Sequence, residues 1–303
     1  MAEAAMELAS LARERVTPQD LERIHDALEG AAELARRSGT TPARVEFKSG
    51  RPNNPVTDLD LRIDRFLREH LPRGDEGWLS EESRDDPARC SRRRVWIVDP
   101  LDGTREFLEG VPEWSISIGL VEDGKAVAGG IANPSTGEVF LGAAGMGVTL
   151  NGTMARARPQ PRPGQALVLA SRSEWKRGEW SRWTDGRIQV QPVGSIAYKL
   201  ARVAAGLADA TWTFVPKHEW DVAAGVALVA AAGGAVRTLE GHAPAFNRSV
   251  PLLSGLMAFS ASSREILEPF VRGSHHDAQP PNGIRPSALE KSTTRTDTHQ
   301  RWR

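Results

Sequence analysis

Apolar residues recur every three or four positions in the first part of the chain and predict two amphipathic helices there. The first follows Thr17, which can cap it while Asp20 reaches back, and it ends at Gly39. The second follows Thr57 and carries an apolar face that ends at Leu71. Both patterns are typical of helices that bury one face.

Shorter apolar stretches follow, in which apolar residues are either continuous or alternate with polar ones, and these patterns predict strands. Residues 95–98 form a continuous apolar run rich in β-forming residues, which predicts a buried strand. From Trp114 to Leu120, apolar residues alternate with polar or small ones, which predicts a half-buried strand. The Asp123-Gly124 pair favours a hairpin turn, so we expect an antiparallel meander to about residue 141.

A Pro-rich, basic stretch at residues 158–164 interrupts this pattern and predicts a boundary between two halves. We expect an N-terminal α+β half over residues 1–157, which carries the metal site, and a smaller C-terminal α/β half over residues 165–272. Apolar periodicity then fades, and residues 273–303 are expected to be a disordered tail. In the second half we predict strands near residues 166–170 and 209–215. We predict helices near residues 195–205 and 221–232.

Composition is that of an ordinary globular protein, with 40% hydrophobic and 26% charged residues. The 39 basic and 39 acidic residues balance, which gives no argument for attraction to a nucleic-acid polymer or an anionic membrane. The single cysteine, Cys90, rules out an intrachain disulfide and fits a reducing compartment. The chain start lacks the pattern of a secretory signal, and no apolar stretch reaches bilayer-spanning length. We therefore expect a cytoplasmic protein.

Five acidic residues are candidates for chemistry: Asp60, Glu81, Asp99, Asp102 and Asp221. Asp99 and Asp102 lie in a tight turn directly after the buried strand, and ligands bind at strand ends in α/β sheets. Their spacing lets both carboxylates point into one cavity, where a divalent cation would relieve their repulsion. A ligand set made only of oxygens favours Mg²⁺, Mn²⁺ or Ca²⁺ over zinc.

Gly103 and Thr104 complete this turn and extend the interpretation to phosphate. Gly103 lets the backbone approach a ligand closely, and Thr104 is predicted to cap a short helix that follows. Free N–H groups at such a helix start attract phosphate. A metal beside an anion-binding turn suits phosphoryl transfer, so the pattern indicates a phosphomonoesterase.

Each of these acidic residues could also have a purely structural role. Considered one by one, the residues do not decide between that role and a functional one. Asp99 and Asp102 are common turn formers. Asp60 stands at capping-box spacing, and Asp221 lies at a helix start where it could serve the macrodipole. Glu81 falls in a stretch that could be a solvated loop.

Three stretches together resemble the signatures of the inositol monophosphatase superfamily, in the family's order and at its spacing. They are residues 79–83 (LSEES), 96–104 (WIVDPLDGT) and 220–225 (WDVAAG). The resemblance implies a layered α/β/α/β/α sandwich of the type shared with fructose-1,6-bisphosphatase, with the site between the halves. It also implies a Mg²⁺-dependent phosphatase that binds two to three ions and is inhibited by Li⁺, and it leaves a homodimer open.

The resemblance implies a metal-binding role for five matching residues. Glu81, Asp99 and the backbone carbonyl of Leu101 would hold a first Mg²⁺. Asp99, Asp102 and Asp221 would hold a second. Glu81 would thereby serve catalysis as well as binding.

The resemblance further implies roles in catalysis and substrate binding. Asp60 would contact a third, weaker metal through water and help Thr104 orient the nucleophilic water. Backbone N–H groups of Gly103 and Thr104 would hold the phosphate. Gly194 and Ser195 would contact the rest of the substrate.

The residues that follow the central signature indicate a branch of the superfamily. Arg105-Glu106-Phe107 resembles the 3′(2′),5′-bisphosphate nucleotidases of the CysQ type, whereas inositol monophosphatases usually have Thr-Asn-Phe there. Lys217 and Arg105 could meet a second phosphate, although Lys217-His218 also fits an exposed loop. We therefore predict adenosine 3′,5′-bisphosphate as the substrate. The alternatives are inositol 1-phosphate or a related sugar or polyol phosphate, and a degenerate member that acts as a regulator.

Overall fold

The structure, a computed structural model, describes residues 16–39, 45–47 and 55–276 of the chain. It begins with helix α1 (Pro18–Ser38), followed by the antiparallel strand pair β1 (Val45–Phe47) and β2 (Pro55–Thr57), and then by helix α2 (Asp58–His70). Both helices start at capping boxes, formed by a threonine side chain and the aspartate three residues later. The two predicted helix starts are therefore confirmed.

A seven-stranded sheet follows, with its strands hydrogen-bonded in chain order. The β3–β4 pair is parallel, and every neighbouring pair from β4 to β9 is antiparallel. This arrangement confirms the predicted meander, and a short helix, α3 (Thr104–Leu108), connects β4 to β5. The strands are β3 (Gly77–Ser80), β4 (Arg94–Asp102), β5 (Ser115–Glu122), β6 (Lys125–Asn133), β7 (Glu138–Ala143), β8 (Gly147–Leu150) and β9 (Thr153–Met154).

The second half of the chain forms a five-stranded sheet of order β11-β10-β12-β16-β14, where β10 runs parallel to both β11 and β12. A separate short pair, β13 and β15, lies beside it. The strands are β10 (Leu167–Ser171), β11 (Gln189–Val193), β12 (Ala210–Thr213), β13 (Lys217–His218), β14 (Ala235–Thr238), β15 (Leu252–Leu253) and β16 (Leu256–Phe259). The helices are α4 (Arg172–Lys176), α5 (Ile196–Ala204), α6 (Glu219–Ala231) and α7 (Arg264–His276).

The last helix differs from the sequence expectation at its end. Helix α7 continues to His276, past the predicted start of a disordered tail at residue 273. Its apolar residues Leu267 and Val271 are buried, which anchors its first turns on the sheet. The rest of the predicted tail, residues 277–303, lies outside the described residues.

Buried apolar side chains fall into three clusters, which define the layers of the fold. One cluster joins α1 and α2 to the outer face of the seven-stranded sheet. The second fills the space between the two sheets, where α5 and α6 lie. The third covers the far face of the five-stranded sheet with Trp183, Trp212 and residues of α7. Helix and sheet layers therefore alternate, and the predicted α/β/α/β/α sandwich is confirmed.

The alternation of side chains along β4 positions Asp99. Trp96 packs in the outer cluster, whereas Ile97 packs in the cluster between the sheets. Because successive strand residues face opposite sides, Asp99 lies on the same side as Ile97, toward the space between the sheets. The register of β4 against β5 then shifts between Asp99 and Asp102, and the strand continues through the turn rather than ending before it.

Helix α6 approaches the seven-stranded sheet more closely than a side chain would allow. A Cβ added at Gly129 would lie 2.4 Å from the carbonyl oxygen of Ala224, and one at Gly119 would lie 2.8 Å from its nitrogen. This contact brings Asp221, in the first turn of α6, to the edge where Asp99 lies. The helix is apolar on all sides because both sheets cover it, and no helix among the described residues is long and apolar enough to cross a membrane.

Candidate metal and phosphate site

A cavity of about 470 Å³ opens between the two sheets and gathers almost every residue that the sequence nominated. Asp60 is the exception, since it lies behind Thr104 rather than in the lining. The cavity has an acidic side and a side that carries basic residues. The nominated residues that line it are Glu81, Asp99, Leu101, Asp102, Gly103, Thr104, Arg105, Gly194, Ser195, Lys217 and Asp221.

Three carboxylates form the acidic side. Glu81 follows β3, Asp99 lies in β4 and Asp221 lies in the first turn of α6. One oxygen from each lies within 4.8 Å of the others. The group contains neither cysteine nor histidine, so its donors suit a divalent cation that prefers oxygen, such as Mg²⁺.

Burial and the charges of neighbouring acids disfavour the charged forms of Asp99 and Asp221. Burial raises the pKa of Asp99 well above its usual range, and the charges of Glu81 and Asp102 raise it further. Burial likewise raises the pKa of Asp221 to about 8, with Asp102 adding to the shift. The backbone N–H of His218 donates to Asp221 Oδ2 at 2.9 Å and partly offsets this. A bound cation would remove the repulsion, so the electrostatics fit a metal.

Asp102 lies in the same cavity but outside the three-carboxylate group. Its Oδ2 accepts the hydroxyl of Ser195 at 2.6 Å and the backbone N–H of Ala197 at 2.7 Å. Burial raises its pKa, and these hydrogen bonds lower it. Asp102 is therefore fixed on the start of α5, and its predicted role as a metal ligand stays a prediction.

Thr104 does not cap the helix that follows it, which corrects the sequence prediction. Gly103 occupies the cap position with a left-handed backbone (φ 97°), and no side chain caps the helix there. Thr104 is the first helical residue instead, and its Oγ donates to the carbonyl oxygen of Leu101 at 3.1 Å. The same oxygen lies 3.5 Å from Asp60 Oδ1. The hydroxyl is thus held against two acceptors beside the cavity.

Each oxygen of Asp60 has a different partner, so Asp60 caps a helix and also faces Thr104, while its predicted catalytic role stays a prediction. Oδ2 accepts the backbone N–H of Thr57 at 2.9 Å and so caps α2. Oδ1 faces Thr104. Burial raises the pKa of Asp60 to about 6, and the charge of Glu81 also raises it.

Gly194 and Ser195 already have protein partners. The backbone N–H of Gly194 donates to Glu113 Oε2 at 2.7 Å. The Ser195 hydroxyl donates to Asp102 and accepts the backbone N–H of Tyr198 at 2.9 Å. These contacts shape the cavity wall, and direct contact of either residue with a substrate stays a prediction.

The basic side contains two residues that the sequence nominated and one that it missed. Lys217 lies in β13 and is half-buried, so it is not part of an exposed loop, whereas Arg105 is exposed. Lys199, in α5, is only 3% exposed and also lines the cavity. Its Nζ donates to the carbonyl oxygen of Val193 at 3.2 Å. Burial lowers the pKa of Lys199 to about 8, and the charge of Lys217 also lowers it.

Lys199 could have been found from the sequence, because it is the lone charge in the first turns of an otherwise apolar helix. Glu106, in α3, is part of the stretch Arg105-Glu106-Phe107, but the sequence alone did not predict it as a site residue. It lines the cavity, and burial raises its pKa. The rings of His218 and Trp220 lie parallel with centroids 4.3 Å apart and also line the cavity.

Glu219 anchors the start of α6, a role that no sequence pattern indicated. Its carboxylate is fully buried and accepts the backbone N–H groups of Asn247 at 2.7 Å and Arg248 at 3.1 Å. Arg89, in a short 3-10 helix (Pro87–Ser91) between β3 and β4, donates to Asn247 Oδ1 at 2.9 Å. These bonds connect the segment that follows Glu81 to the start of α6, which carries Asp221.

Comparisons with known proteins find relatives over most of the chain. A family model described as inositol monophosphatase family matches residues 18–272. The chain is 33% identical over 199 residues to inositol-1-monophosphatase of Rhizobium meliloti, covering 63% of this chain and 74% of that protein. It is 30% identical over 219 residues to the fructose-1,6-bisphosphatase/inositol-1-monophosphatase of Thermotoga maritima, covering 70% and 82%. The crystal structure of CysQ from Bacteroides thetaiotaomicron, a bacterial member of the same family, superposes with a TM-score of 0.66 at 26% identity, covering 80% and 97%.

Proposed function

The chain belongs to the inositol monophosphatase family and is a phosphomonoesterase, and we propose that it uses Mg²⁺ to hydrolyse a small phosphate ester, first of all adenosine 3′,5′-bisphosphate. The family assignment carries the reaction class. The substrate and the identity of the cation are proposals, supported by the two sides of the cavity.

The single observation that carries the metal proposal is the close approach of Glu81, Asp99 and Asp221. Carboxylate oxygens within 4.8 Å of one another, from buried Asp99 and the partly buried Glu81 and Asp221, would be unfavourable without a cation between them. When bound there, Mg²⁺ would supply Lewis acidity toward the phosphoryl oxygens and favour ionisation of the attacking water.

Thr104 and Asp60 are proposed to orient that water and to receive its proton. The Thr104 hydroxyl donates to Leu101 or Asp60, which leaves its oxygen free to accept a hydrogen bond from a water in the cavity. Because burial raises the pKa of Asp60 only to about 6, its carboxylate is mostly ionised at pH 7 and can accept a proton through Thr104.

The basic side of the cavity supports a substrate with a second phosphate. Lys217 and Arg105 line the cavity, and charge-assisted hydrogen bonds to phosphate are among the stronger contacts. Lys217 interacts electrostatically with Asp102 and Asp221, so it lies close enough to the carboxylates to meet the same small molecule.

Inositol 1-phosphate is the second candidate. It is favoured by the names of the relatives, which include the inositol-1-monophosphatase of Rhizobium meliloti. The phosphate of a polyol monophosphate would meet the three carboxylates and their cation in the same way. It would provide no second phosphate for Lys217 and Arg105.

A phosphate-release panel separates the two candidates. The purified protein is assayed with Mg²⁺ on adenosine 3′,5′-bisphosphate, inositol 1-phosphate, fructose 1,6-bisphosphate and histidinol phosphate. We expect the highest kcat/KM on adenosine 3′,5′-bisphosphate. A higher value on inositol 1-phosphate would replace the first candidate with the second, and no release from any of the four would contradict the proposed substrates.

A further inference from the structure

Glu81 and Asp99 are held in place to different degrees by the seven-stranded sheet. Asp99 lies within β4 and pairs with Ser117 of β5, so the sheet fixes its backbone directly. Among the described strands, β3 lies at the edge of this sheet and pairs with β4 alone, and their last pair is Ser80 with Val98. Glu81 follows that pair in a bend. Its position therefore depends on contacts other than the strand ladder.

A carboxylate of α2 holds this bend on both sides of Glu81. Asp64 Oδ1 accepts the hydroxyl of Ser80 at 2.5 Å, and Asp64 Oδ2 accepts the hydroxyl of Ser83. Ser80 comes directly before Glu81, and Ser83 comes shortly after it. Hydrogen bonds to an ionised carboxylate are stronger than those between neutral groups. The two bonds thus fix both ends of the short segment that carries Glu81.

Further hydrogen bonds orient the two serine hydroxyls toward Asp64. Ser80 Oγ accepts the backbone N–H of Glu82 at 3.3 Å, and Ser83 Oγ accepts the indole N–H of Trp78 at 3.3 Å. A hydroxyl has one proton to donate, and in each serine that proton goes to Asp64. An ionised carboxylate offers two acceptor oxygens, so it matches this pair of donors.

Asp64 shares a face of α2 with Asp60, which lies one helical turn earlier. Asp60 faces Thr104, while Asp64 binds the segment of Glu81. Asp64 is only 9% exposed, and among the described residues the ion pairs with an N–O distance of 4.0 Å or less do not include it. A buried carboxylate needs compensating hydrogen bonds, and the two serines provide them.

We propose that Asp64 is a positioning residue for the metal, which acts through Ser80 and Ser83 to hold Glu81 beside Asp99 and Asp221. This inference rests on the proposed function, in which those three carboxylates bind the cation. Their oxygens lie within 4.8 Å of one another, and like charges at such distances repel. An anchor on the bend keeps Glu81 in place before the cation binds, so less of the binding energy is lost in ordering the segment.

The test measures metal binding directly, with Mn²⁺ followed by electron paramagnetic resonance, because Mn²⁺ takes the same oxygen ligands as Mg²⁺. Asp64→Ala removes both acceptors, and the Kd for Mn²⁺ should rise about tenfold, the scale at which outer partners of a metal site act. Asp75→Ala, at an exposed acid, is the matched control and should leave the Kd unchanged. A general structural role for Asp64 would lower the melting temperature in EDTA without changing the Kd of the folded protein, and that result would overturn the inference.

A milder variant decides the question even if Asp64→Ala fails to fold. Ser83→Ala removes one of the two bonds with little change in volume, so it should raise the Kd by a smaller factor and keep a melting temperature near that of the wild type. The double variant Asp64→Ala/Ser83→Ala should bind Mn²⁺ as weakly as Asp64→Ala alone, because the bond is already absent. An unchanged Kd in Ser83→Ala, or effects that multiply in the double variant, would overturn the inference.

Phosphate release separates this inference from the proposed function. Weakened Mn²⁺ binding in the variants of a protein that releases no phosphate from any substrate of the panel would overturn the proposed hydrolysis and still support the positioning role. Normal release by the wild type together with unchanged Mn²⁺ binding in the folded variants would overturn the positioning role and leave the proposed function intact. A wild type that binds no Mn²⁺ would overturn both.

Discussion

The two sides of the cavity differ in charge, in origin and in what they can do. The acidic side combines Glu81, Asp99 and Asp221, and its carboxylates repel one another until a cation neutralises them. The basic side combines Lys199 of α5, Lys217 of β13 and the exposed Arg105. One side is suited to the chemistry of the reacting phosphate, and the other to the choice of molecule. Substitutions on the two sides should therefore have different signatures in kinetics.

The largest effect is expected from the acidic side. Asp99→Asn should lower kcat/KM at least about 100-fold on every substrate, because loss of an outer partner of a metal ligand already costs about 10- to 100-fold. The fold should survive, because removing one of several neighbouring acids reduces their electrostatic repulsion in the metal-free protein. Phosphate release and circular dichroism provide the measurements, with Asp75→Asn, at an exposed acid, as the control. A near-normal rate in Asp99→Asn would show that the metal assignment is wrong.

Substitutions on the basic side should lower kcat/KM on a bisphosphate more than on a monophosphate. Lys217→Ala and Arg105→Ala should each lower kcat/KM on adenosine 3′,5′-bisphosphate about 10- to 100-fold, which corresponds to roughly 1.5–3 kcal/mol for a charge-assisted contact. Inositol 1-phosphate lacks the second phosphate and should be affected far less. Since Arg105 is exposed, its effect is expected at the lower end of this range.

An equal fall on both substrates in that experiment would give a different picture. Lys217 and Arg105 would then support the cavity structurally, and the bisphosphate preference would lose these two contacts as its support.

Much of the acidic side could be predicted from the sequence, because its residues lie in short contiguous motifs. The hexapeptide from Asp99 to Thr104 follows a buried strand, and both its turn and its position at the cavity were predictable from local patterns. The prediction that Thr104 caps the helix was wrong, because Gly103 adopts a left-handed backbone and takes the cap position itself. The hydroxyl of Thr104 is then directed to Leu101 and Asp60.

The basic side was harder to predict, because its residues meet only through tertiary structure. Lys199 lies in α5 and Lys217 in β13, and only the tertiary structure brings them close enough to interact electrostatically. Glu219 acts on a loop 28 residues further along the chain, at Asn247. Local propensity contains no information on such contacts, whereas it does describe capping boxes and turns.

A smaller effect is expected from Glu219, which joins the two sides by anchoring the start of α6. Glu219→Gln keeps the shape of the side chain but removes the charge that accepts two backbone N–H groups. We expect the Mg²⁺ concentration for half-maximal activity to rise by up to about tenfold, since outer partners of a metal site act at this scale. Saturating Mg²⁺ should restore most of kcat. A loss that saturating Mg²⁺ leaves unchanged would contradict this positioning role.

The smallest effect concerns stability and its dependence on pH. Burial raises the pKa of Asp221 to about 8 in the folded protein, above the ordinary value of 3.8. The folded state therefore retains a proton that the unfolded state has lost between these values, so metal-free stability should fall as pH rises from about 4 to about 8. Asp221→Asn should flatten this fall and raise the melting temperature at pH 8 by a few degrees, on the order of 2–4 °C for each kcal/mol gained.

Differential scanning calorimetry in EDTA measures this effect, with Asp75→Asn as the control. A metal-free wild type that grows steadily more stable over the same range would contradict the electrostatic description of the acidic side.

Phosphate release from one protein sample under three conditions shows whether a cation held by the acidic side makes hydrolysis possible. Release from adenosine 3′,5′-bisphosphate, or from whichever substrate of the panel is fastest, is followed with Mg²⁺, after excess EDTA, and after Mg²⁺ is restored. We expect release to stop with EDTA and to return with Mg²⁺, while Asp99→Asn stays inactive under all three conditions. Full turnover of the wild type in excess EDTA would contradict it.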